Sequence, residues 1–159
     1  YQVLHLATHG YFNKLNPLLS GLELEVDSTN DGLLEVHEIL ELQLDSDLVT
    51  LSACETGLGG GFFTEIPAGD DFVVLTRPLL QAGSSSVLAT LWKVDDRSTV
   101  ALMKDFYTHL EDAGVKGDKA VALAQAQRTL RASEEYGHPY YWAPFVLVGA
   151  AQVNTKASG

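Results

Sequence analysis

Four short apolar segments constrain the fold of this chain more than any other feature: YQVLHLAT (1–8), LVTLSAC (48–54), SSVLATLW (85–92) and YWAPFVLVG (141–149). Each is strand-length and rich in branched or aromatic residues, the pattern of strands buried on both faces. The sequence between them has helical periodicity. LLEVHEILEL (33–42) sets Leu33, Val36, Ile39 and Leu40 at helical spacing and predicts a short amphipathic helix. Asp70 and Asp71 suit a helix start, with an end near Gln81 before Gly83 and a kink at Pro78. Asp95 or Asp96 caps a third helix striped by Val100, Met103, Tyr107 and Leu110, and Gly114 and Gly117 end it. Asp118 starts an alanine-rich helix running to about Ala132. LSGLELEV (19–26) alternates like a half-exposed strand, and Asn30-Asp31-Gly32 is a turn signal. His9-Gly10 breaks the first strand into a turn, and Pro144 opens the last, where a missing N–H does least harm.

Apolar strands alternating with amphipathic helices predict an α/β fold, a three-layer α/β/α sandwich on a mostly parallel central sheet. A 159-residue chain that is 46% hydrophobic suits one domain, placed at residues 1–150, with a flexible tail at 151–159. The first strand begins at once, without a methionine, so the expectation is a piece of a longer protein. A formal charge of −11 repels phosphate backbones and anionic membrane surfaces, which argues against nucleic acid or membrane as direct partners. No apolar run approaches the ~20 residues of a membrane span, and a cytoplasmic location is expected. One cysteine rules out an intrachain disulfide and a cysteine-rich metal site. His37, His109 and His138 lack metal-like spacing, so no metal and no cofactor is called for.

In parallel sheets, sites gather at the carboxyl ends of strands. His9 and Cys54 stand there on the first two core strands, and adjacent parallel strands lie about 5 Å apart. A cysteine attacks as thiolate and needs a neighbour that accepts or holds its proton, commonly a histidine. Backbone N–H groups at Gly10 and Cys54 are natural donors to an oxyanion. From residues alone, two roles stay open for each side chain: the catalytic one, and an ordinary buried cysteine with a structural histidine. His5 is expected to be a hydrogen-bonded core histidine. Gly57 to Gly61 with Phe62 and Phe63 is long enough for a lid or an ordinary surface loop. Trp92 and Trp142 are expected to pack in or beside the sheet.

HLATHG (5–10) and LSACETG (51–57) closely resemble the paired histidine and cysteine signatures of the CHAT domain, a caspase-like domain often joined to tetratricopeptide repeats. The resemblance continues through SGLEL (20–24), DGLLEVHEIL (31–40), GDDFVVLTRPLLQAG (69–83), SVLATLWKVDD (86–96) and HPYYWAPFVLVG (138–149). It implies a caspase- and separase-type fold and cleavage of peptide bonds by a cysteine. Carried over residue by residue, His9 handles the proton, Cys54 is the nucleophile, and Gly10 and Cys54 form the oxyanion hole. Glu55 is not promoted to a third catalytic acid.

Related separase-like members use acids near an LWDVTD segment to recognise a basic side chain. Here the segment reads LWKVDD, so Lys93 replaces an acid, while Asp95 and Asp96 are left as substrate-binding candidates with helix capping as their alternative role. The implied partners are a protein or peptide substrate and a tetratricopeptide or other sensor region in the parent protein. A second reading, a catalytically silent regulatory domain of the same fold, rests on the acidic surface and the fragment-like start. Caspase-like folds carry strands before the histidine strand; if these are missing, one sheet edge is uncovered and a homo-oligomer is expected there.

Overall fold

A computed structural model describes residues 2–13, 15–52, 54–55, 70–111 and 117–152. The expected loop at 57–61 with Phe62 and Phe63, Gly114, and the tail from residue 153 lie outside them.

The four apolar segments form the central sheet: β1 (Val3–Leu6), β5 (Leu48–Leu51), β7 (Ser86–Thr90) and β8 (Phe145–Gly149), in the order β1-β5-β7-β8. The first three run parallel and β8 is antiparallel to β7, so the sheet is mostly parallel. Alternation along each strand sorts side chains between two layers. Val49, Leu51, Val87 and Ala89 meet α1 (Val36–Ile39) and α2 (Asp70–Gln81) through Val36, Ile39, Leu75 and Leu79, with Ala82 just past the end of α2. Leu48, Leu88 and Phe145 meet α3 (Asp96–Glu111) and α4 (Lys119–Ala132) through Leu102, Met103, Phe106, Ala122, Ala126 and Leu130. This is the α/β/α sandwich that the pattern predicts.

Helix ends follow local chemistry. Gly83 adopts a positive φ of 109°, a conformation that glycine reaches without Cβ strain, and Leu44 donates its N–H to the Ala82 carbonyl at 2.6 Å. Pro78 lies inside α2 without ending it. The Asp118 side chain caps α4 by accepting from the Val121 N–H at 2.9 Å. Ala151 and Gln152 are tied to that cap: Lys119 N–H donates to the Ala151 carbonyl at 2.7 Å and Gln152 Nε2 to Asp118 Oδ2 at 2.6 Å. Gln127 of α4 donates to the carbonyls of Trp142 and Phe145, both at 3.0 Å, and fixes α5 (Pro139–Trp142) and the start of β8. Trp142 packs against the α3/α4 core, and Trp92, partly exposed, donates to the Tyr140 carbonyl at 3.1 Å.

Two expectations are corrected. His9-Gly10 is not a turn but opens β2 (His9–Tyr11), and 33–35 is not helix but β4 (Leu33–Glu35). With β3 (Gly21–Glu23) and β6 (Cys54–Glu55) these make a second small sheet in the order β4-β3-β2-β6. The reason for β4 is its pairing: Leu34 sits opposite Leu22, which is fully buried, and that long-range contact outweighs a three-residue extension of helical stripe. Helix α1 starts only at Val36, behind a capping box made by Glu35 and Glu38.

Candidate active site and family

Strands β1 and β5 break at the same level. Beyond the break they resume as β2 and β6, with the register kept: each residue's partner lies 45 positions on (48 − 3, and again 55 − 10) from Val3 opposite Leu48 to Gly10 opposite Glu55. Within that run His9 lies opposite Cys54. Across the gap, Ser52 N–H donates to the Leu6 carbonyl at 3.0 Å and keeps the two chains in step. The predicted pair is therefore adjacent at the backbone, about 5 Å apart as parallel neighbours are. It sits one short strand beyond the ends of the central strands, in the second sheet. Gly10 follows in β2, buried, with Leu22 on one side and Glu55 on the other.

A cavity of about 360 Å³ opens beside His9, between the carboxyl ends of the central strands and the first turns of α3. His9, His5, Ser52 and Thr90 line the sheet side, and Asp96, Thr99 and Met103 the helix side. A space of this size is large enough to take a substrate side chain.

The two adjacent aspartates have different roles. Asp95 is committed to capping α3: its Oδ1 accepts from the N–H groups of Arg97 (3.0 Å) and Ser98 (3.1 Å), and its carbonyl accepts from the Ser98 hydroxyl at 2.8 Å. Asp96 lines the cavity, and among the described residues no partner holds its carboxylate. Lys93 is exposed outside the cavity lining, and its carbonyl accepts from the Tyr140 hydroxyl at 2.8 Å.

His5 has partners that its sequence position does not reveal. Its Nε2 lies 2.9 Å from Ser52 Oγ and its Nδ1 3.1 Å from the Tyr107 hydroxyl, which donates to Thr50 Oγ1 at 2.9 Å. Because the Tyr107 proton goes to Thr50, the Tyr107 oxygen accepts from Nδ1–H, and Nε2 accepts from Ser52. Burial holds the His5 pKa below the ordinary histidine value and pushes the Tyr107 phenol up, so the ring is neutral at neutral pH. His5 is not the core residue expected: it stands on the edge strand, exposed on one side, with its ring against the cavity. Ser52, Tyr107 and Thr50 were not singled out by sequence reasoning. The available signal was two polar residues, Thr50 and Ser52, at period-two spacing in an otherwise apolar strand.

The other histidines serve local structure. His138 Nδ1 caps α5 by accepting from the Tyr140 N–H at 3.2 Å, His37 lies 3.2 Å from Glu35, and His109 lies 3.5 Å from Asp105. Among the described residues no helix is long and apolar enough to cross a membrane.

The sequence matches the family model of the CHAT domain over residues 1–150. It is similar to tetratricopeptide repeat protein 28 from Mus musculus, 33% identical over 128 residues, and to the Homo sapiens protein of that name, 31% identical over 127 residues. In each case 79% of this chain is aligned, and the match spans 5% of the relative's length. A continuous His9–Cys54 register, an α/β/α sandwich and a family match over most of its length lead to one conclusion: the chain belongs to the CHAT domain family.

Proposed function

We propose that the domain is a cysteine endopeptidase working through a His9–Cys54 dyad. The observation carrying this reading is the register that sets His9 opposite Cys54 beside a cavity lined by His9, in a chain of a caspase-like family. His9 takes the thiol proton of Cys54 and the sulfur attacks the scissile carbonyl. N–H groups of Gly10 and Cys54 hold the oxyanion. As the tetrahedral intermediate collapses, the C–N bond breaks and His9 passes its proton to the leaving amine. Water, deprotonated by His9, then attacks the thioester; the acid product leaves and the thiol is restored.

Asp96, rather than the capping Asp95, is the acid available to a substrate side chain, and it favours one ending in a positive charge or hydrogen-bond donor. Lys93 stands outside the cavity lining. The substrate is a protein or peptide, and a tetratricopeptide region of the parent protein delivers or senses it. At the sheet edge, β1 has Val3 41% exposed, an edge suited to pairing with a second copy of the chain.

The test is a peptidyl probe with a thiol-reactive group. It should label the wild type, spare Cys54→Ala, and label His9→Ala roughly 100-fold or more slowly, as loss of a general base entails. Equal labelling of wild type and His9→Ala would overturn the dyad and favour the silent regulatory domain.

A further inference from the structure

We propose that His5 is a positioning residue of this site, clamping the two segments that carry His9 and Cys54 and tying them to the helix that carries Asp96. The inference rests on the dyad reading and adds a residue outside the dyad that aligns it.

The parallel pairing of the two segments is interrupted between His5 and the His9–Cys54 pair. Strand β1 ends at Leu6 and β2 begins at His9; β5 ends at Leu51 and β6 begins at Cys54. In the gap between the two paired runs, the Ser52 N–H donates to the Leu6 carbonyl at 3.0 Å. The His5 ring spans the same gap through a side-chain bond: Nε2 accepts from Ser52 Oγ at 2.9 Å. Ser52 is two residues before Cys54 and His5 is four before His9, so the bond joins both site-bearing segments just upstream of the pair.

The far side of the ring is held as well. Nδ1 lies 3.1 Å from the Tyr107 hydroxyl, and the two rings stack obliquely with centroids 5.8 Å apart. Tyr107 reaches across to Thr50, the residue opposite His5 in the β1–β5 register. Tyr107 belongs to α3, whose first residue is Asp96. The four side chains therefore link β1, the end of β5 and α3; β2 and β6, which follow β1 and β5, carry His9 and Cys54, and Asp96 opens α3. Both partners are hydroxyls, able to donate or accept, so each ring nitrogen is held by a hydrogen bond. Displacing a reacting group by about 1 Å costs on the order of 100-fold in rate, so a clamp here acts on the chemistry without touching the reacting atoms.

The sole cysteine allows a test that needs no substrate. The rate of Cys54 alkylation by iodoacetamide, followed against pH by mass spectrometry, reports the thiolate fraction. In wild type the His9 imidazolium supports the thiolate. His5→Ala and Ser52→Ala should each raise the midpoint of this profile by about one unit, equivalent to roughly tenfold slower alkylation on its acid side. His5→Gln can both accept and donate, and should restore most of the shift. Thermal melting and circular dichroism confirm folding; should His5→Ala fail to fold, Ser52→Ala and Tyr107→Phe carry the test.

A wild-type profile in His5→Ala and Ser52→Ala, with a shifted one in His9→Ala, would overturn the clamp and leave the dyad standing. A shift in His5→Ala that His5→Gln does not restore and Ser52→Ala does not share would also overturn it, since ring packing alone would then explain the loss. If His9→Ala itself leaves the profile unchanged, the dyad fails and the clamp with it.

Discussion

His9 and Cys54 stand directly opposite each other on the parallel pair β2 and β6, in the register that already pairs Val3 with Leu48 at the far end of the sheet. The adjacency comes from the central sheet: β5 is buried along its whole length, and a slip by one residue would turn its apolar side chains into the wrong layer. Packing of the core therefore holds two polar residues in line at a distance of several residues.

That relationship makes a covalent prediction. In His9→Cys, the α-carbons at 9 and 54 lie within the 4.4–6.8 Å that disulfides require, by about 5 Å strand spacing. Mild oxidation should join them, with loss of two hydrogens by intact mass and no dimer on a non-reducing gel. A protein that stays reduced or dimerises through the two thiols would count against the register.

Asp95 and Asp96 should separate in their effects. Asp95→Ala removes the α3 cap and should cost about 1 kcal/mol in denaturant unfolding, with Asp95→Asn recovering most of it. Asp96→Asn should change stability by less than about 0.5 kcal/mol. It should instead weaken competition by peptides carrying an Arg or Lys side chain, measured against the peptidyl probe. Equal loss of stability from both would remove Asp96 from the substrate role.

The His5 environment predicts an acid-side loss of stability. Its folded pKa lies below the unfolded value of about 6.5, so the unfolded chain binds the proton more readily. The contribution is intact above about pH 6.5 and falls as the pH drops from there toward the folded pKa. Urea unfolding across that range should show a shallower decline in His5→Gln than in wild type. Parallel curves would show that His5 is not desolvated in solution.

Lys119 should behave as a buried structural lysine. It is 0% exposed, and its Nζ donates to the Asp47 carbonyl at 2.8 Å, tying the start of α4 to the start of β5. Lys119→Ala leaves a cavity and removes one of two donors to the Asp47 carbonyl, which keeps the Ser86 hydroxyl at 2.8 Å, and should cost about 2–4 kcal/mol. Lys119→Met refills the space and should cost distinctly less, as read from chemical denaturation midpoints.

Much of the fold was legible in the chain because its signals are local. Apolar runs marked β1, β5, β7 and β8; Asp118 and Gly83 marked a helix start and a helix stop through caps set within a few residues. The small second sheet was not legible. Strands β2, β3, β4 and β6 are two or three residues long, too short for periodicity, and they exist because each has a partner distant in sequence. The same reason hid the His5–Ser52–Tyr107–Thr50 chain, in which Tyr107 and His5 are 102 residues apart.

The amino-acid sequence by itself determined the layered α/β plan, the family motifs and the candidates His9 and Cys54, because residue type and short spacing are enough to specify burial, capping and signature. Only the tertiary structure decided that His9 stands opposite Cys54 in the strand register, that Asp95 caps a helix while Asp96 lines the cavity, and that His5 bridges two strands and a helix. Those outcomes depend on strand register and on which side chains meet across the fold, and both are set by packing between segments that the chain order keeps far apart.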